Sequence, residues 1–132
     1  MARRFSVLLG ATVFAALLGT LKIAAGETKE PILVRIAELE IDPGQIDAYE
    51  SALSDEIATS IRLEPGVLNL YAVAVKGQPT QVRIFEMYAD QAAYEAHLQT
   101  AHFKKYKTGT LEMVQSLELS EVNPIALGGK VK

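Results

Sequence analysis

From Ile32 onward the spacing of apolar residues alternates between two periods. Ile32 to Ile41 is rich in β-branched residues and ends at Asp42-Pro43-Gly44, a turn signal that also opens a helix, so it reads as a strand. In Gln45 to Leu63 the side chains Ile46, Tyr49, Leu53, Ile57 and Ile61 recur at helical steps, the stripe of an amphipathic helix that Glu64-Pro65-Gly66 stops. Val67 to Lys76 predicts a second strand, Gly77-Gln78-Pro79-Thr80 a hairpin loop, and Gln81 to Tyr88 a third strand antiparallel to the second. Asp90 is placed to cap a second helix that carries Ala93, Tyr94, His97, Leu98 and Ala101 and continues through Phe103, Tyr106 and Met113. Val114 to Val122 completes the pattern as a fourth strand.

The order β-α-β-β-α-β implies an α+β, ferredoxin-like domain: one antiparallel sheet with two helices on one face. The free face of such a sheet is polar when it meets water. The second strand is apolar on both sides, with Val67, Tyr71, Val73 and Val75 alternating with Leu68, Leu70, Ala72 and Ala74. No segment remains to cover that face, so the patterning predicts a second copy against it, a two-fold homodimer.

The first residues change the picture of charge and location. Arg3 and Arg4, the apolar stretch Phe5 to Leu21 and the small run Ala24-Ala25-Gly26 have the layout of a secretory signal, with cleavage expected after Gly26. A stretch interrupted by Gly10, Thr12, Gly19 and Thr20 falls short of the ~20 apolar residues of a spanning helix. The expectation is an exported protein, periplasmic or secreted, with no stable membrane span once the signal is removed. Residues 27–31 form a short polar lead-in, 32–122 the domain and 123–132 a tail containing Pro124 and Gly128-Gly129. The whole chain has 13 basic and 16 acidic residues, and loss of Arg3, Arg4 and Lys22 raises the acidic excess, which argues against a nucleic-acid partner. The basic run Lys104, Lys105 and Lys107 reads as a solvated helix face. With no Cys, disulfides, thiolate metal sites and cysteine nucleophiles are excluded.

The candidate chemistry is carried by imidazoles, one carboxylate and phenols. His97 and His102 are five residues apart, so on an unbroken helix their rings diverge by about 140°. That spacing disfavours a two-histidine metal site unless the helix breaks near Thr100, and no metal is expected. His97 lies on the apolar stripe and is expected to face the sheet, where Glu86 stands between Phe85 and Met87 and needs a partner. A His97–Glu86 pair serves either as a structural hydrogen bond or as a general base and its orienting group. Tyr71, Tyr88 and Tyr106, with Tyr94, add phenols to an apolar space suited to a planar, hydroxylated ligand.

Three strings together resemble the antibiotic biosynthesis monooxygenase domain family: Glu64-Pro-Gly-Val-Leu-Asn-Leu-Tyr71, Arg83-Ile-Phe-Glu-Met-Tyr88, and Tyr94-Glu-Ala-His97-Leu-Gln-Thr-Ala-His102-Phe-Lys-Lys-Tyr106. The resemblance runs from Ile32 to about Val122 and implies a dimeric α+β barrel of ferredoxin-like subunits. It also implies a cofactor-independent monooxygenase acting with O2 on a small quinol-like or polyphenolic aromatic. His97 or His102 would be the base, Glu86 the orienter, and Tyr71, Tyr88 and Tyr106 the pocket wall. Haem-degrading members place an Asn on the first strand and a Trp on the third, whereas Ile32 to Ile41 has no Asn and Tyr88 occupies the Trp position. Two alternatives remain, a non-enzymatic dimeric module that binds an aromatic ligand and an isomerase similar to those of the autoinducer-2 phosphate signal.

Overall fold

The computed structural model describes residues 31–130; the expected signal peptide and nearly all of the lead-in lie outside them. The elements run β1 (Leu33–Ile41), α1 (Ile46–Leu63), β2 (Val67–Val75), β3 (Gln78–Tyr88), α2 (Gln91–Gln99), α3 (Ala101–Gly109) and β4 (Val114–Val122). The strands make one antiparallel sheet in the order β2-β3-β1-β4, the ferredoxin-like βαββαβ arrangement. Residues 123–130 continue beyond β4 without helix or strand and are exposed.

Register follows the two-residue period of a strand. Ala37 lies between Ile84 of β3 and Leu119 of β4, and Leu39 between Val82 and Leu117, which aims these side chains at the helices. There α1 packs Tyr49 and Leu53 on Ala37, Leu39, Ile41, Val82 and Ile84. A second cluster joins Leu33, Val67, Leu70 and Tyr88 to Ala93 and Tyr94 of α2. Gly66 permits α2 to sit this close, because a Cβ there would stand 2.5 Å from the Cβ of Ala93.

Four local expectations are corrected. The hairpin is tighter than Gly77 to Thr80: β3 already begins at Gln78, and Gly77 takes the left-handed turn conformation (φ 80°) that other residues resist. A bulge at Leu68 shifts the register, so Val67 pairs with Tyr88 and Asn69 with Met87. Val67 therefore joins Leu70 on the helix side, instead of sharing a face with Tyr71 and Val73. On α1 the inward face turns from Leu53 to Glu56 and Ser60, leaving Ile61 half exposed.

The fourth correction concerns the second helix, which is two helices. Thr100 adopts an extended conformation (φ −65°, ψ 150°) and ends α2 while starting α3. Its hydroxyl donates to the His97 carbonyl at 2.8 Å and accepts from the Phe103 amide at 3.3 Å, so one side chain satisfies an orphan group at each helix end.

Candidate functional site

Four elements converge above the C-terminal part of β3. On α1 the steps from Tyr49 to Leu53, Glu56 and Ser60 put all four side chains inward. Glu56 is only 6% exposed, and its Oε1 accepts from Ser60 Oγ at 2.7 Å. On β3 the alternation that buries Ile84 also points Glu86 and Tyr88 at the helices, where Tyr88 Oη donates to Glu86 Oε2 at 3.1 Å. The Asp90 carboxylate accepts from the Ala93 amide at 2.7 Å and fixes the start of α2. His97, two turns later, is 3% exposed with its ring 5.4 Å from that of Tyr88.

The break at Thr100 then turns His102 back towards His97, with ring centroids 6.5 Å apart. Both imidazoles meet Glu64, the residue that ends α1. Its carboxylate lies 3.0 Å from His97 Nδ1, and the same oxygen is met by His102 Nε2. Burial pushes the Glu64 carboxyl up, but hydrogen bonds from His102 and His97 and the His97 charge outweigh it and hold the group below the usual carboxylate range. A carboxylate ionised at neutral pH can only accept, so both rings donate to it. His97 thus turns Nδ1 to Glu64 and leaves its other ring nitrogen, Nε2, 3.7 Å from Glu56 Oε1.

For the remaining groups burial outweighs the opposing contacts. It raises the Glu86 carboxyl, against the pull of the Tyr88 hydrogen bond and the nearby His97 and Arg35 charges. Arg35 faces Glu86 across β1 and β3, its guanidinium 4.5 Å from the centre of the Tyr94 ring. The phenol of Tyr88 is pushed far up by burial and by Glu86, and that of Tyr106 by burial and by Tyr49, whose hydroxyl is 2.8 Å away. Both phenols stay protonated and serve as walls and donors.

Between these groups and the sheet is a cavity of about 80 Å³, lined by Glu56, Glu86, Tyr88, His97, Phe103 and Tyr106 among apolar strand residues. Lys107 of α3 and Leu117 and Leu119 of the edge strand β4, all exposed to solvent, also line it. His97, Glu86, Tyr88 and Tyr106 are thus brought to one cavity. His102 stands behind His97, on Glu64, at a groove between α1 and α3. Tyr71 is not a wall of this cavity. It pairs with Phe85 on the opposite face, is 61% exposed, and borders an apolar groove between β2 and α1.

The predicted role of Glu86 is also corrected. His97 is oriented by Glu64, and Glu86 is taken by Tyr88, two residues along the same strand face. Glu64 reads in the sequence as part of a helix stop, and nothing local marks it as a histidine partner. Glu56 leaves a fainter trace, a carboxylate on the inward side of an amphipathic stripe. Histidines five residues apart diverge only on an unbroken helix, and this one breaks at Thr100. Glu56, His97 and His102 each bring one ligand atom within 4.8 Å of the others, making them the set able to hold a metal ion among the described residues.

A family model described as antibiotic biosynthesis monooxygenase matches residues 32–109. A candidate antibiotic biosynthesis monooxygenase from Bacteroides thetaiotaomicron, known from a crystal structure, is 53% identical with a TM-score of 0.73, the match covering 76% of this chain and 96% of that one. A Pseudomonas aeruginosa protein is 26% identical with a TM-score of 0.68, over 74% of this chain and 98% of that one. A candidate monooxygenase from Lactobacillus acidophilus is also 26% identical, with a TM-score of 0.67, over 70% of this chain but 45% of its own longer one. Comparison with curated proteins gives no match.

Proposed function

The chain belongs to the antibiotic biosynthesis monooxygenase family, and from that premise we propose that it is a cofactor-independent monooxygenase for a compact, quinol-like aromatic. The observation that carries this reading is His97: one ring nitrogen is held by an ionised Glu64 while the other is free beside an apolar cavity. A phenol entering the cavity would give its proton to Nε2. Glu56, close to the same nitrogen, would stabilise the imidazolium that results. The electron-rich quinolate then reduces O2, one oxygen atom staying on the ring as the hydroxyquinone and the other leaving as water. Quinol to hydroxyquinone is a four-electron oxidation that matches the four electrons O2 takes up, so the reaction needs no external reductant.

Size supports a single ring over a polycyclic polyphenol. A cavity of about 80 Å³ is smaller than the ~150 Å³ that admits benzene, so even one ring requires the cavity to widen. The lining with most room to move is on β4, an edge strand whose Leu117 and Leu119 remain 45% and 39% exposed. The same proposal includes export after loss of residues 1–26 and assembly as a homodimer closing an α+β barrel. Support for the dimer comes from the free sheet face, where Tyr71 and Val73 stand exposed beside Phe85.

The test is a screen of reduced quinones with purified mature protein, following oxygen uptake and product together. Protein-dependent uptake with a hydroxyquinone product is expected for a single-ring quinol and is lost in His97→Ala. Saturable binding of the ring without oxygen uptake would replace the oxygenase with a binding module.

A further inference from the structure

Two imidazoles from consecutive helices and a carboxylate from a third reach one point because the chain breaks at Thr100. We infer that Glu56, His97 and His102 form a site for one divalent transition-metal ion, of the class represented by Zn2+ and Co2+, which uses the same nitrogen of His97 as the proposed base. The ion and the base therefore exclude one another. This exclusion rests on the functional reading above, whereas the metal site does not.

Spacing is the first ground. Two ligands each ~2.0–2.2 Å from a shared ion stand roughly 3.4 Å apart at a tetrahedral angle. His97 Nε2 and Glu56 Oε1 are 3.7 Å apart, too far for a hydrogen bond but a few tenths of an ångström from that spacing. All three ligand atoms fall within 4.8 Å of one another, so small side-chain adjustments close the set. His102, whose side chain is 18% exposed, has the most freedom to re-aim.

The surroundings are the second ground. A histidine that binds metal through one nitrogen typically donates from the other to a carboxylate, and His97 Nδ1 already makes that bond to Glu64. Glu56 is a buried carboxyl group whose hydrogen-bonding partner is the hydroxyl of Ser60, with His97 just beyond bonding distance. A dication placed between them would balance both carboxylates of the cluster. Two nitrogen donors favour Zn2+, Co2+ or Fe2+ over Mg2+ or Ca2+. Three protein ligands beside a cavity leave coordination positions open, as in sites that exchange their ion or admit a ligand.

The experiment uses tag-free, chelator-stripped mature protein titrated with Zn2+ by calorimetry and with Co2+ by visible absorption. One ion per chain is expected, with the d–d bands of a low-coordinate nitrogen–oxygen site. Glu56→Gln and His102→Ala, each checked for folding by circular dichroism, should weaken binding by at least the ~10–100-fold typical of losing even a supporting group. Absence of stoichiometric binding by the wild type overturns the site, as does unchanged affinity in both folded variants. Saturation with Zn2+ should abolish quinol-dependent oxygen uptake. Uptake that persists at full occupancy overturns the sharing of His97. Zn2+ binding by a protein that oxidises no quinol when metal-free leaves the site standing and removes the oxygenase reading instead.

Discussion

Glu64 and Glu86 are carboxylates in one small volume with opposite shifts, and the pH response of each follows from its partners. For Glu64 the folded pKa is lowered, so its stabilising contribution is present above the ordinary glutamate range, about 4.3, and disappears as pH falls through the lowered value. For Glu86 the folded pKa is raised, so the folded state binds the extra proton and stability declines as pH rises from about 4.3 through the raised value. Gln at position 86 can still accept from Tyr88 and carries no charge. Glu86→Gln is therefore expected to melt higher than wild type at pH 7, the gain shrinking towards pH 4; parallel melting curves across that range would reject the assignment. His97→Ala leaves Glu64 with one donor fewer and Glu56 without its neighbouring imidazole, a loss of about 1–3 kcal/mol in denaturant unfolding. The same variant should lose ~10²–10⁴-fold in turnover, read from oxygen uptake at saturating quinol.

Helix ends decide the site at the scale of elements. Asp90 and Thr100 are both N-caps, yet they carry different consequences. Replacing either with Ala should cost about 1 kcal/mol, within the usual range for a lost cap. Thr100 also separates α2 from α3 and so directs His102 to Glu64. Thr100→Ala is expected to weaken the pairing of His102 with Glu64 and to shift the imidazole resonances of both histidines in NMR spectra, whereas Asp90→Ala, at similar stability, should leave the His102 resonance in place. Equal disturbance by the two variants would show that the break is not held by the Thr100 side chain.

The sheet presents two unlike faces on the scale of the molecule. One is covered by α1, α2 and α3. The other carries Tyr71 and Val73, 61% and 59% exposed, next to Phe85 and Met87, with the Glu38–Arg83 ion pair (2.9 Å) towards the far end. An apolar patch bounded by charge is the anatomy of an interface. An interface of ordinary size buries ~800 Å² on each partner. Tyr71 stands opposite Phe85, where a carboxylate would be desolvated without a partner, so Tyr71→Asp is expected to halve the sedimenting mass while the monomer keeps its far-UV spectrum. A wild type that already sediments as a monomer, or a variant that stays dimeric, would exclude the sheet-to-sheet contact.

What the sequence determined by itself is the set of properties carried by short-range periodicity. Strand and helix order, the Asp90 cap, the burial of His97 and the family strings all depend on residues within a few positions of one another, where backbone geometry fixes which side chains share a face. Partner choice is of another kind. Glu64 and His97 are 33 positions apart, and their meeting depends on where α1 stops, how β2 and β3 return the chain, and how α2 is seated by Gly66. Glu86, the nearest acid by sequence logic, is instead taken by Tyr88. A single bulge at Leu68 reverses which face Val67 occupies relative to Tyr71, and a single extended residue at Thr100 reunites imidazoles that an unbroken helix would separate by about 140°. Such one-residue irregularities carry little signal in a periodic pattern, yet they redirect every side chain that follows. The tertiary structure therefore decided the cluster of Glu56, Glu64, His97 and His102, because buried charges select their partners by distance and desolvation across elements.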